Sequence, residues 1–380
     1  MNTLWNIYNP SGKKRIIVTR NLPGEEWKKV FAEADCCLEI YCGSDTLPAG
    51  ELFAAIGNRC DGILGQLFDQ CSDALLNTLV KAGGKVFSNY SVGFNNIDLA
   101  AATLHGIAVG NTPGVLTETT AELAVSLTFA AARRIVEGDS YMREGKFTGW
   151  LPDLLLGELL WRKTLGIIGA GRIGTSYARM MVEGHKMNLM YYDNHQNAAF
   201  EIYLTRYATF LHDQGEDPIR WKRSSSIDEL LRESDLVSLH VPLTPSTRHM
   251  IDQSRLLMMK ENAILVNTSR GPVIDEKALV DHCRAHPHFR AGLDVYEEEP
   301  ALAPGLHRIE NVVLMPHVGS GTLWTRKNMA LLAALNIIGI LKGYPAWHHA
   351  DMNPFLGINP PEAVPSILNA RELGIPVYQG

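Results

Sequence analysis

Short apolar stretches alternate with stretches of helical periodicity along nearly the whole chain. The first series comprises "RIIVT", "CCLEIY", "GILGQL", "VFSNYSVG" and "IAVGNT", and it ends near residue 112. The second begins at "TLGIIGAGRIG" and continues through "MNLMYYD", "LVSLHVP", "AILVNTSR", "AGLDVY" and "VVLMPHV". Near-continuous apolar strands that alternate with helices are typical of parallel sheets covered on both faces. The pattern therefore predicts two α/β domains.

Two long helices are predicted in addition to the short helices between strands. One runs from near Thr119 through "AELAVSLTFAAARRIVEGDSYM". Thr117 or Thr119 can cap it, and Glu122 follows Thr119 at the spacing of a capping box. The other, "TLWTRKNMALLAALNIIGILKG", precedes a Pro-rich C-terminal segment.

One connection in the second series is unusually long. About thirty residues separate Asp193 from Ser224, where a short loop is usual. Within them, "FEIYLTRYATFLHDQG" has helical spacing and predicts an added surface helix. The pattern does not indicate what this insertion, residues 194–223, does.

Composition and charge narrow the class of partner. The chain has 380 residues, of which 46% are hydrophobic and 20% charged, as expected of an ordinary globular protein with two or three domains. The net charge of −6 argues against a nucleic acid or an anionic membrane as a partner. An anionic substrate would therefore have to be attracted by local arginines.

The cysteines and the chain ends predict a cytoplasmic protein, although a eukaryotic source would leave the compartment open. The six cysteines form no C-x-x-C pair and are expected to be reduced thiols. No apolar run approaches the length of a membrane span, and the N-terminal region has no signal-peptide pattern. The last residues, "VYQG", are not a Ser-Lys-Leu peroxisomal address.

A glycine-rich motif, "GAGRIG" at residues 169–174, lies between the strand "LGII" and the helix "RIGTSYARMMVEG". Alone, the motif is also compatible with a simple tight turn. The next strand ends in Asp193, 19 residues after Gly174, which is the context that dinucleotide binding requires. Gly169 permits the turn, Gly171 lets the backbone approach the pyrophosphate, and Gly174 brings the helix close to the sheet. The N-terminus of the helix faces the pyrophosphate.

Asp193 predicts the choice of cofactor. Its carboxylate can accept hydrogen bonds from the ribose hydroxyls of NAD and would repel a 2′-phosphate. No arginine follows it immediately, so NADH is expected to be preferred over NADPH. His195 would weaken this preference if it were protonated.

The run "AILVNTSRGPVIDEKAL", residues 263–279, carries an apolar strand that ends in Arg270. Arginine is rarely buried without a partner. Residues at the ends of parallel strands face the ligand crevice, and a guanidinium can bind a carboxylate through paired hydrogen bonds. Arg270 is therefore expected to hold an anionic substrate. The alternative is an ion pair with Glu299 or Asp294.

Two further strands are also followed by side chains that could bind or react with a substrate. "GLDVYEEEP", residues 292–300, ends in acids that include Glu299, and "LMPHVGSGT", residues 314–322, contains His317. A lone histidine is more often structural than catalytic. Arginine, glutamate and histidine at three strand ends of one sheet nevertheless fit a ketone reduction. That reaction needs a hydride, a proton and a hold on the carboxylate.

A histidine-rich cluster, His282, Cys283, His286 and His288, has one pair at the spacing of a helical turn. Such spacing also occurs in metal sites. The cluster lies at the C-terminal end of the helix after Asp275, where histidines interact favourably with the helix dipole. The sequence therefore predicts a surface helix end and no metal.

With these motifs in place, the chain resembles the D-isomer-specific 2-hydroxyacid dehydrogenase family over essentially its whole length. "GAGRIG", "NTSRGPVIDEKAL", "LDVYEEEP" and "PHVGSGT" carry the resemblance. Within the family it most resembles the plant-type NADH-dependent hydroxypyruvate reductases, also called glycerate dehydrogenases. "AGGKVFSNYSVGFNN", "AVGNTPGVLTETTAEL", "YARMMVEG" and the long insertion carry that finer match. The chain departs from the plant enzymes in lacking their peroxisomal ending.

The resemblance implies a fold of two Rossmann-like or flavodoxin-like parallel-sheet domains, with the active site in the cleft between them. The expected substrate-binding (catalytic) domain combines residues 1–117 with 323–380. The expected NAD-binding Rossmann domain covers 118–322 and includes a dimerisation arm at about 119–160. The implied assembly is a homodimer. In relatives an aromatic residue at the position of Trp150 enters the partner's active site, whereas packing within its own subunit is the alternative.

The resemblance also implies residue roles. The catalytic set is expected to be Arg270, Glu299 and His317. Backbone groups of Val92 and Gly93 are expected to hold the substrate carboxylate, and Asp294 to hold the nicotinamide carboxamide. The full set expected to contact NAD is Gly169, Gly171, Arg172, Ile173, Gly174, Asp193, His240, Pro242, Thr268, Asp294 and Gly319.

The function implied is NADH-dependent reduction of hydroxypyruvate to D-glycerate and of glyoxylate to glycolate. A phosphoglycerate dehydrogenase or another relative acting on a different 2-keto acid is the nearest alternative. An NAD(H)-sensing, corepressor-like binding protein with the same fold is another. Formate dehydrogenases resemble this pattern with glutamine at the position of Glu299, so the glutamate argues against them. The sequence does not define the preferred keto acid.

Overall fold

Residues 4–379 are described by a computed structural model, in which the chain divides into two units that each contain one sheet. The first unit combines the chain up to Leu116 with the chain from Ser320 onward. The second runs from Thr117 to Gly319. Both sheets are parallel apart from one edge strand, as the apolar pattern predicts.

The first unit has a six-stranded sheet in the order β1-β3-β2-β4-β5-β6. Without β1, this is the 2-1-3-4-5 order of flavodoxin-like folds. The edge strand β1 pairs antiparallel with β3, and the apolar pattern did not predict it. The strands are β1 (Trp5–Tyr8), β2 (Lys14–Val18), β3 (Cys36–Tyr41), β4 (Gly62–Gly65), β5 (Val86–Asn89) and β6 (Ala108–Gly110).

Among the described residues, five α-helices cover this sheet. The last of them confirms the long helix predicted before the C-terminal segment, and it packs against the neighbouring strands β4 and β5 and against the first helix. It begins after Thr322, whose hydroxyl accepts from the Thr325 N–H, and it ends at Gly343 in the left-handed conformation. The helices are α1 (Glu26–Glu33), α2 (Ala49–Ile56), α3 (Asp73–Lys81), α4 (Leu99–Leu104) and, late in the chain, α12 (Leu323–Lys342).

The second unit has a seven-stranded parallel sheet in the order β13-β12-β11-β10-β7-β8-β9. Numbered from its own first strand, this is the Rossmann order 3-2-1-4-5-6 with a seventh strand added. The short edge strand β9 was not predicted. The strands are β7 (Thr164–Ile168), β8 (Asn188–Tyr192), β9 (Trp221–Arg223), β10 (Leu236–Leu239), β11 (Ile264–Asn267), β12 (Arg290–Leu293) and β13 (Val312–Leu314).

Helices lie on both faces of this sheet, and the central strands are buried throughout, which accounts for their continuous apolar sequences. Two separate clusters of buried apolar side chains form the core, one on each face. The helices are α5 (Thr117–Ala132), α6 (Ile135–Arg143), α7 (Arg172–His185), α8 (Ala198–Asp213), α9 (Ile227–Glu233), α10 (Gln253–Leu256) and α11 (Glu276–Ala285).

The prediction of one uninterrupted helix after Thr119 was wrong. The chain breaks between α5 and α6 at Arg134, which adopts a left-handed conformation with φ of +53°. Arg134 forms an ion pair with Glu137, and Glu137 also binds Arg290, which is only 7% exposed. A buried arginine needs a carboxylate partner, and this partner lies on the redirected helix α6.

The insertion after Asp193 contains the predicted surface helix, α8. Asn197 caps it by accepting from the Phe200 N–H. The Tyr203 hydroxyl of α8 donates to Glu183 in α7, and the Tyr207 hydroxyl accepts from Lys186, the residue that follows α7. The insertion is therefore an integral part of the second unit. Among the described residues, no helix is long and apolar enough to cross a bilayer.

Candidate active site

The three glycines of the 169–174 turn have different surroundings. A Cβ on Gly169, which has φ of +98°, would lie 2.6 Å from the His240 carbonyl oxygen, and one on Gly174 would lie 2.1 Å from the Gly169 oxygen. Nothing lies within 4 Å of a Cβ placed on Gly171. Gly169 is therefore required where the turn meets the residues after β10, and Gly174 where α7 approaches the turn, whereas Gly171 borders open space. That space lies where the strand order of the sheet reverses, which is where such folds bind ligands.

Helix α7 begins at this open space. Gly171 is its N-cap residue, and no side chain caps its first N–H groups. Arg172 is exposed, and Ile173 packs against the core. An uncapped helix N-terminus beside an open glycine turn is suited to a pyrophosphate. These features fit a dinucleotide.

The middle residue of the turn, Ala170, is held by two side chains from the end of β8 and the insertion. Its N–H donates to Asp193 Oδ2 at 2.8 Å, and its carbonyl oxygen accepts from Asn197 Nδ2 at 2.9 Å. Asp193 Oδ1 accepts from the His195 N–H at 2.9 Å. A carboxylate has about four acceptor positions. Asp193 therefore positions the turn and retains capacity for ribose hydroxyls.

The other residues expected around the cofactor lie at the ends of the neighbouring strands. The Thr268 hydroxyl is buried and has no hydrogen-bond partner among the described residues, as expected of a group that awaits a ligand. Burial lowers the pKa of His240 to about 3, so this imidazole is neutral. Its Nε2 is paired with the Ser238 hydroxyl at 2.9 Å. Pro242 is exposed, and its carbonyl oxygen accepts from Thr247.

Arg270 follows β11 in a turn shaped by Asn267. The Asn267 side chain donates to the Arg270 carbonyl oxygen at 3.0 Å and accepts from the N–H and hydroxyl of Ser269. The guanidinium itself donates to the Ser269 carbonyl oxygen at 2.6 Å and forms no ion pair in the described part of the chain. Burial lowers its pKa, against a smaller opposing effect of the charge on Glu299. The guanidinium is therefore half-buried and has no paired anion among the described residues.

Glu299 and His317 form a close pair. Glu299 Oε2 lies 2.7 Å from His317 Nδ1, and Oε1 accepts from the Tyr296 N–H at 2.9 Å. Burial raises the pKa of Glu299, but the hydrogen bond and charge of His317, with smaller contributions from the Tyr296 N–H and Arg270, lower it below its ordinary value. The carboxylate is therefore ionised at neutral pH. It orients the imidazole through Nδ1 and leaves Nε2 for a substrate.

Asp294 holds the backbone that carries His317. Its carbonyl oxygen accepts from the His317 N–H at 2.9 Å, and its carboxylate accepts from the N–H groups of Val318 and Gly319 at 2.7 and 2.8 Å. His317 itself has a left-handed backbone with φ of +53°. Burial raises the pKa of Asp294, and the Val318 hydrogen bond, the charge of His317 and the Gly319 hydrogen bond oppose that rise. Asp294 thus fixes a backbone conformation that few histidines adopt.

The second unit therefore brings Arg270, Glu299 and His317 to the same edge of one sheet, since they follow the adjacent parallel strands β11, β12 and β13. Val92 and Gly93 belong to the first unit and are half-buried after β5. Trp150 lies in the segment after α6 and is 83% exposed. Other large apolar side chains near it are also exposed: Phe147, Leu151, Leu156, Leu159 and Trp161.

The histidine cluster occupies the predicted helix end. His282 and His286 stack with ring centroids 4.1 Å apart at the end of α11, and His286 Nδ1 lies 2.9 Å from the His282 carbonyl oxygen. Burial, helped by His286, lowers the pKa of His282 to about 4. Among the described residues, no group of three His, Cys, Asp or Glu side chains is placed to hold a metal ion.

Sequence reasoning missed Asn197 and Asn267, although both leave a trace in the sequence. Asn267 is the last residue of β11 and Asn197 comes shortly after β8, and asparagine is favoured at helix caps and in turns that bend back on their own backbone. That signal locates a turn. It does not reveal that the side-chain NH2 group of Asn197 donates to Ala170 in the glycine-rich turn.

The chain is similar to one family of known proteins over most of its length. Residues 125–319 match the model of the "D-isomer specific 2-hydroxyacid dehydrogenase, NAD binding domain" family. A peroxisomal glycerate dehydrogenase from Arabidopsis thaliana is 54% identical over 375 residues, which cover 98% of this chain and 97% of the relative. A glyoxylate reductase from Korarchaeum cryptofilum is 41% identical over 334 residues, 87% of this chain and 94% of the relative.

A solved structure also shares the fold. The D-lactate dehydrogenase of Aquifex aeolicus, complexed with NAD and lactic acid, superposes with a TM-score of 0.70 at 27% identity. The match covers 87% of this chain and 96% of that one.

Proposed function

The chain belongs to the D-isomer-specific 2-hydroxyacid dehydrogenase family, and from this premise we propose that it reduces hydroxypyruvate to D-glycerate, and glyoxylate to glycolate, with NADH. The names of the Arabidopsis and Korarchaeum relatives support these two substrates. The observation that carries the proposal is the combination of a half-buried Arg270, which has no carboxylate partner among the described residues, with the ionised Glu299 beside His317.

Arg270 binds the substrate in this proposal. A 2-keto acid offers a carboxylate and an adjacent carbonyl oxygen, and a guanidinium can donate to both through its planar fork. We also assign the backbone N–H groups of Val92 and Gly93 to the substrate carboxylate, as the family resemblance implies.

His317 supplies the proton. Its Nδ1–H donates to Glu299, so a protonated imidazole presents Nε2–H to the substrate carbonyl oxygen. The cofactor, when bound, would supply the hydride for the carbonyl carbon, which together with the proton from His317 gives the hydroxy acid. In the oxidising direction a neutral His317 accepts the hydroxyl proton through the same atom. Asp294 keeps the imidazole in place by holding the backbone on both sides of its Cα atom.

The cofactor contacts follow from the site. The N-terminus of α7, with Gly171, Arg172 and Ile173, would hold the pyrophosphate, and Asp193 would hold the adenosine ribose. Thr268 offers an unpaired hydroxyl, and Asp294 would reach the nicotinamide carboxamide. The remaining residues proposed to contact the cofactor are His240, Pro242 and Gly319.

NADH is the proposed preference because Asp193 would repel a 2′-phosphate. The structure adds a cation that sequence spacing did not reveal, since Arg223 at the end of β9 donates to the Asp193 carbonyl oxygen at 3.0 Å. Comparison of kcat/KM for NADH and NADPH, in wild type and in Arg223→Ala, tests the preference. A wild type that uses NADPH better would overturn it. Loss of residual NADPH activity in the variant would identify Arg223 as its source.

A homodimer is proposed from the exposed apolar segment around Trp150, because monomers rarely leave contiguous apolar patches of this kind uncovered. Trp150 enters the neighbouring protomer's substrate site in this proposal. We also propose a cytoplasmic location, although the name of the Arabidopsis relative places that protein in the peroxisome.

One assay tests the proposed activity. NADH oxidation is followed with hydroxypyruvate, glyoxylate, pyruvate and 3-phosphohydroxypyruvate at equal concentrations, and the products are analysed for the D-isomer. Highest kcat/KM with hydroxypyruvate supports the proposal. Preference for the phosphorylated substrate would assign a phosphoglycerate dehydrogenase instead. No turnover of any keto acid, with intact NADH binding, would favour a binding protein.

A further inference from the structure

The loop at residues 91–93 is held by its carbonyl groups. The Ser91 oxygen accepts from the Thr112 N–H at 3.0 Å, the Val92 oxygen from Asn111 Nδ2 at 2.9 Å, and the Gly93 oxygen from Asn89 Nδ2 at 2.9 Å. In a trans peptide the N–H points opposite to the carbonyl of the preceding residue. The N–H groups of Val92 and Gly93 therefore point away from Thr112 and Asn111. Within the described chain neither has an acceptor.

Asn111 connects this loop to the C-terminal segment. It is 5% exposed, and its Oδ1 accepts from the Ser366 hydroxyl at 2.5 Å while its Nδ2 holds the Val92 oxygen. Ser366 is itself fixed, because its N–H donates to the Oδ1 of buried Asn336 at 2.8 Å. The Ser366 hydroxyl thus donates to the oxygen of the Asn111 side chain, while the NH2 group of the same side chain sets the orientation of the peptide between Val92 and Gly93.

We propose that Ser366 is a positioning residue for the keto acid, which it serves by holding Asn111 so that the Val92 and Gly93 N–H groups face the substrate carboxylate. This inference rests on the proposed function of those two N–H groups. The C-terminal segment is therefore part of the substrate site, although it contributes no group that touches the substrate.

The same segment contains a matched control, Asn369. It is 1% exposed and accepts from the Val109 N–H while donating to the Ile107 oxygen and the Thr103 hydroxyl. It anchors the segment to the same edge of the sheet as Ser366 does. None of its hydrogen bonds reaches the 91–93 loop.

The experiment compares Ser366→Ala, Ser366→Thr and Asn369→Ala in the full chain. Loss of one neutral hydrogen bond corresponds to a change of about 2- to 10-fold, so Ser366→Ala should raise KM for hydroxypyruvate by that factor. Its kcat should change less, because the carboxylate is bound in both ground and transition states. The NADH dissociation constant should stay within about twofold, since the proposed cofactor contacts belong to the second unit. Ser366→Thr keeps the hydroxyl and should restore KM.

Asn369→Ala should lower the melting temperature at least as much as Ser366→Ala, with KM nearly unchanged. Amide hydrogen exchange of residues 91–94 should increase in Ser366→Ala only. The inference is overturned if Ser366→Ala keeps the wild-type KM and exchange, or if Asn369→Ala raises KM equally, which would indicate a general effect of stability. A wild type that turns over no keto acid would instead refute the proposed function, and the inference with it.

Discussion

Replacement of Glu299 by glutamine tests the proposed acid–base pair most directly. The carboxylate accepts from His317 through one oxygen, at 2.7 Å, and from the Tyr296 N–H through the other, at 2.9 Å. Glutamine has the same shape as glutamate, but it carries one acceptor oxygen and one donor NH2 group in place of two acceptor oxygens. It can therefore satisfy only one of the two N–H groups, and it removes the negative charge beside the imidazole.

The expected magnitude follows from the loss of one hydrogen bond to a charged group. Such bonds contribute about 1.5–3 kcal/mol. The side chains of His317 and Glu299 are 26% and 16% exposed, so solvent screens the pair only in part. If the whole loss falls on the transition state, kcat/KM for hydroxypyruvate should fall about 10- to 150-fold. Glu298→Gln, which removes a neighbouring exposed carboxylate, should stay close to wild type.

The contribution of Glu299 to the free energy of unfolding should depend on pH. The interaction with His317 lowers the pKa of Glu299 below its ordinary value of 4.5, so the carboxylate stays charged throughout the neutral range. Its contribution to stability is present above pH 4.5 and is lost as the pH falls through the lowered pKa. The difference in unfolding free energy between wild type and Glu299→Gln should therefore be constant near neutrality and shrink in acid.

The decisive assay is kcat/KM against pH in both directions. Reduction requires His317 to donate a proton from Nε2, and oxidation requires it to accept one there. Glu299→Gln disturbs the orientation of the imidazole in both cases, so kcat/KM should fall in both directions across the neutral range, where wild-type Glu299 is ionised. A loss confined to one direction, or an equal loss in Glu298→Gln, would refute the assignment of this acid–base pair.

Three further predictions concern substrate, cofactor and assembly. Arg270→Ala should lower kcat/KM by roughly two to four powers of ten, because two charge-assisted hydrogen bonds disappear; a variant within about threefold of wild type would remove Arg270 from the site. Asn197→Ser keeps a cap for α8 but removes the longer side chain's NH2 group that donates to Ala170, so the NADH dissociation constant should rise about 2- to 10-fold at nearly unchanged stability; unchanged affinity in a fluorescence titration would contradict this. Trp150→Ala should raise KM for the keto acid and leave NADH affinity nearly constant, and a fully active monomer in light scattering would exclude the proposed role.

Much of the site could be predicted because its residues follow strands. Arg270 and His317 each come shortly after an apolar stretch, and parallel strands place such residues at one edge of a sheet. Gly169 and Gly174 carry a similar signal, because only glycine fits where the loop meets His240 and where α7 approaches the turn. For each of these residues, a pattern within a few neighbouring positions is sufficient to predict its place in the site.

The long helix after Thr119 shows where a local pattern fails. Its residues continue the helical periodicity past Arg134, and nothing in that periodicity marks a break. The break accompanies a contact between Glu137 and Arg290, which are 153 residues apart in the chain. An ion pair with a buried arginine outweighs the small helical preference of one or two residues.

The sequence by itself determined the two α/β domains, the dinucleotide turn and the strand ends that carry the proposed chemistry. These follow from periodicity, from glycine and from residues adjacent to strands, which act within a few positions of one another. Only the tertiary structure decided that Asn197 supports Ala170, that Ser366 supports Asn111, and that Arg270 has no carboxylate partner in the described chain. The first two of these contacts join residues that are 27 and 255 positions apart in the chain. Such hydrogen bonds produce no periodic pattern in the sequence, because they depend on how separate segments pack.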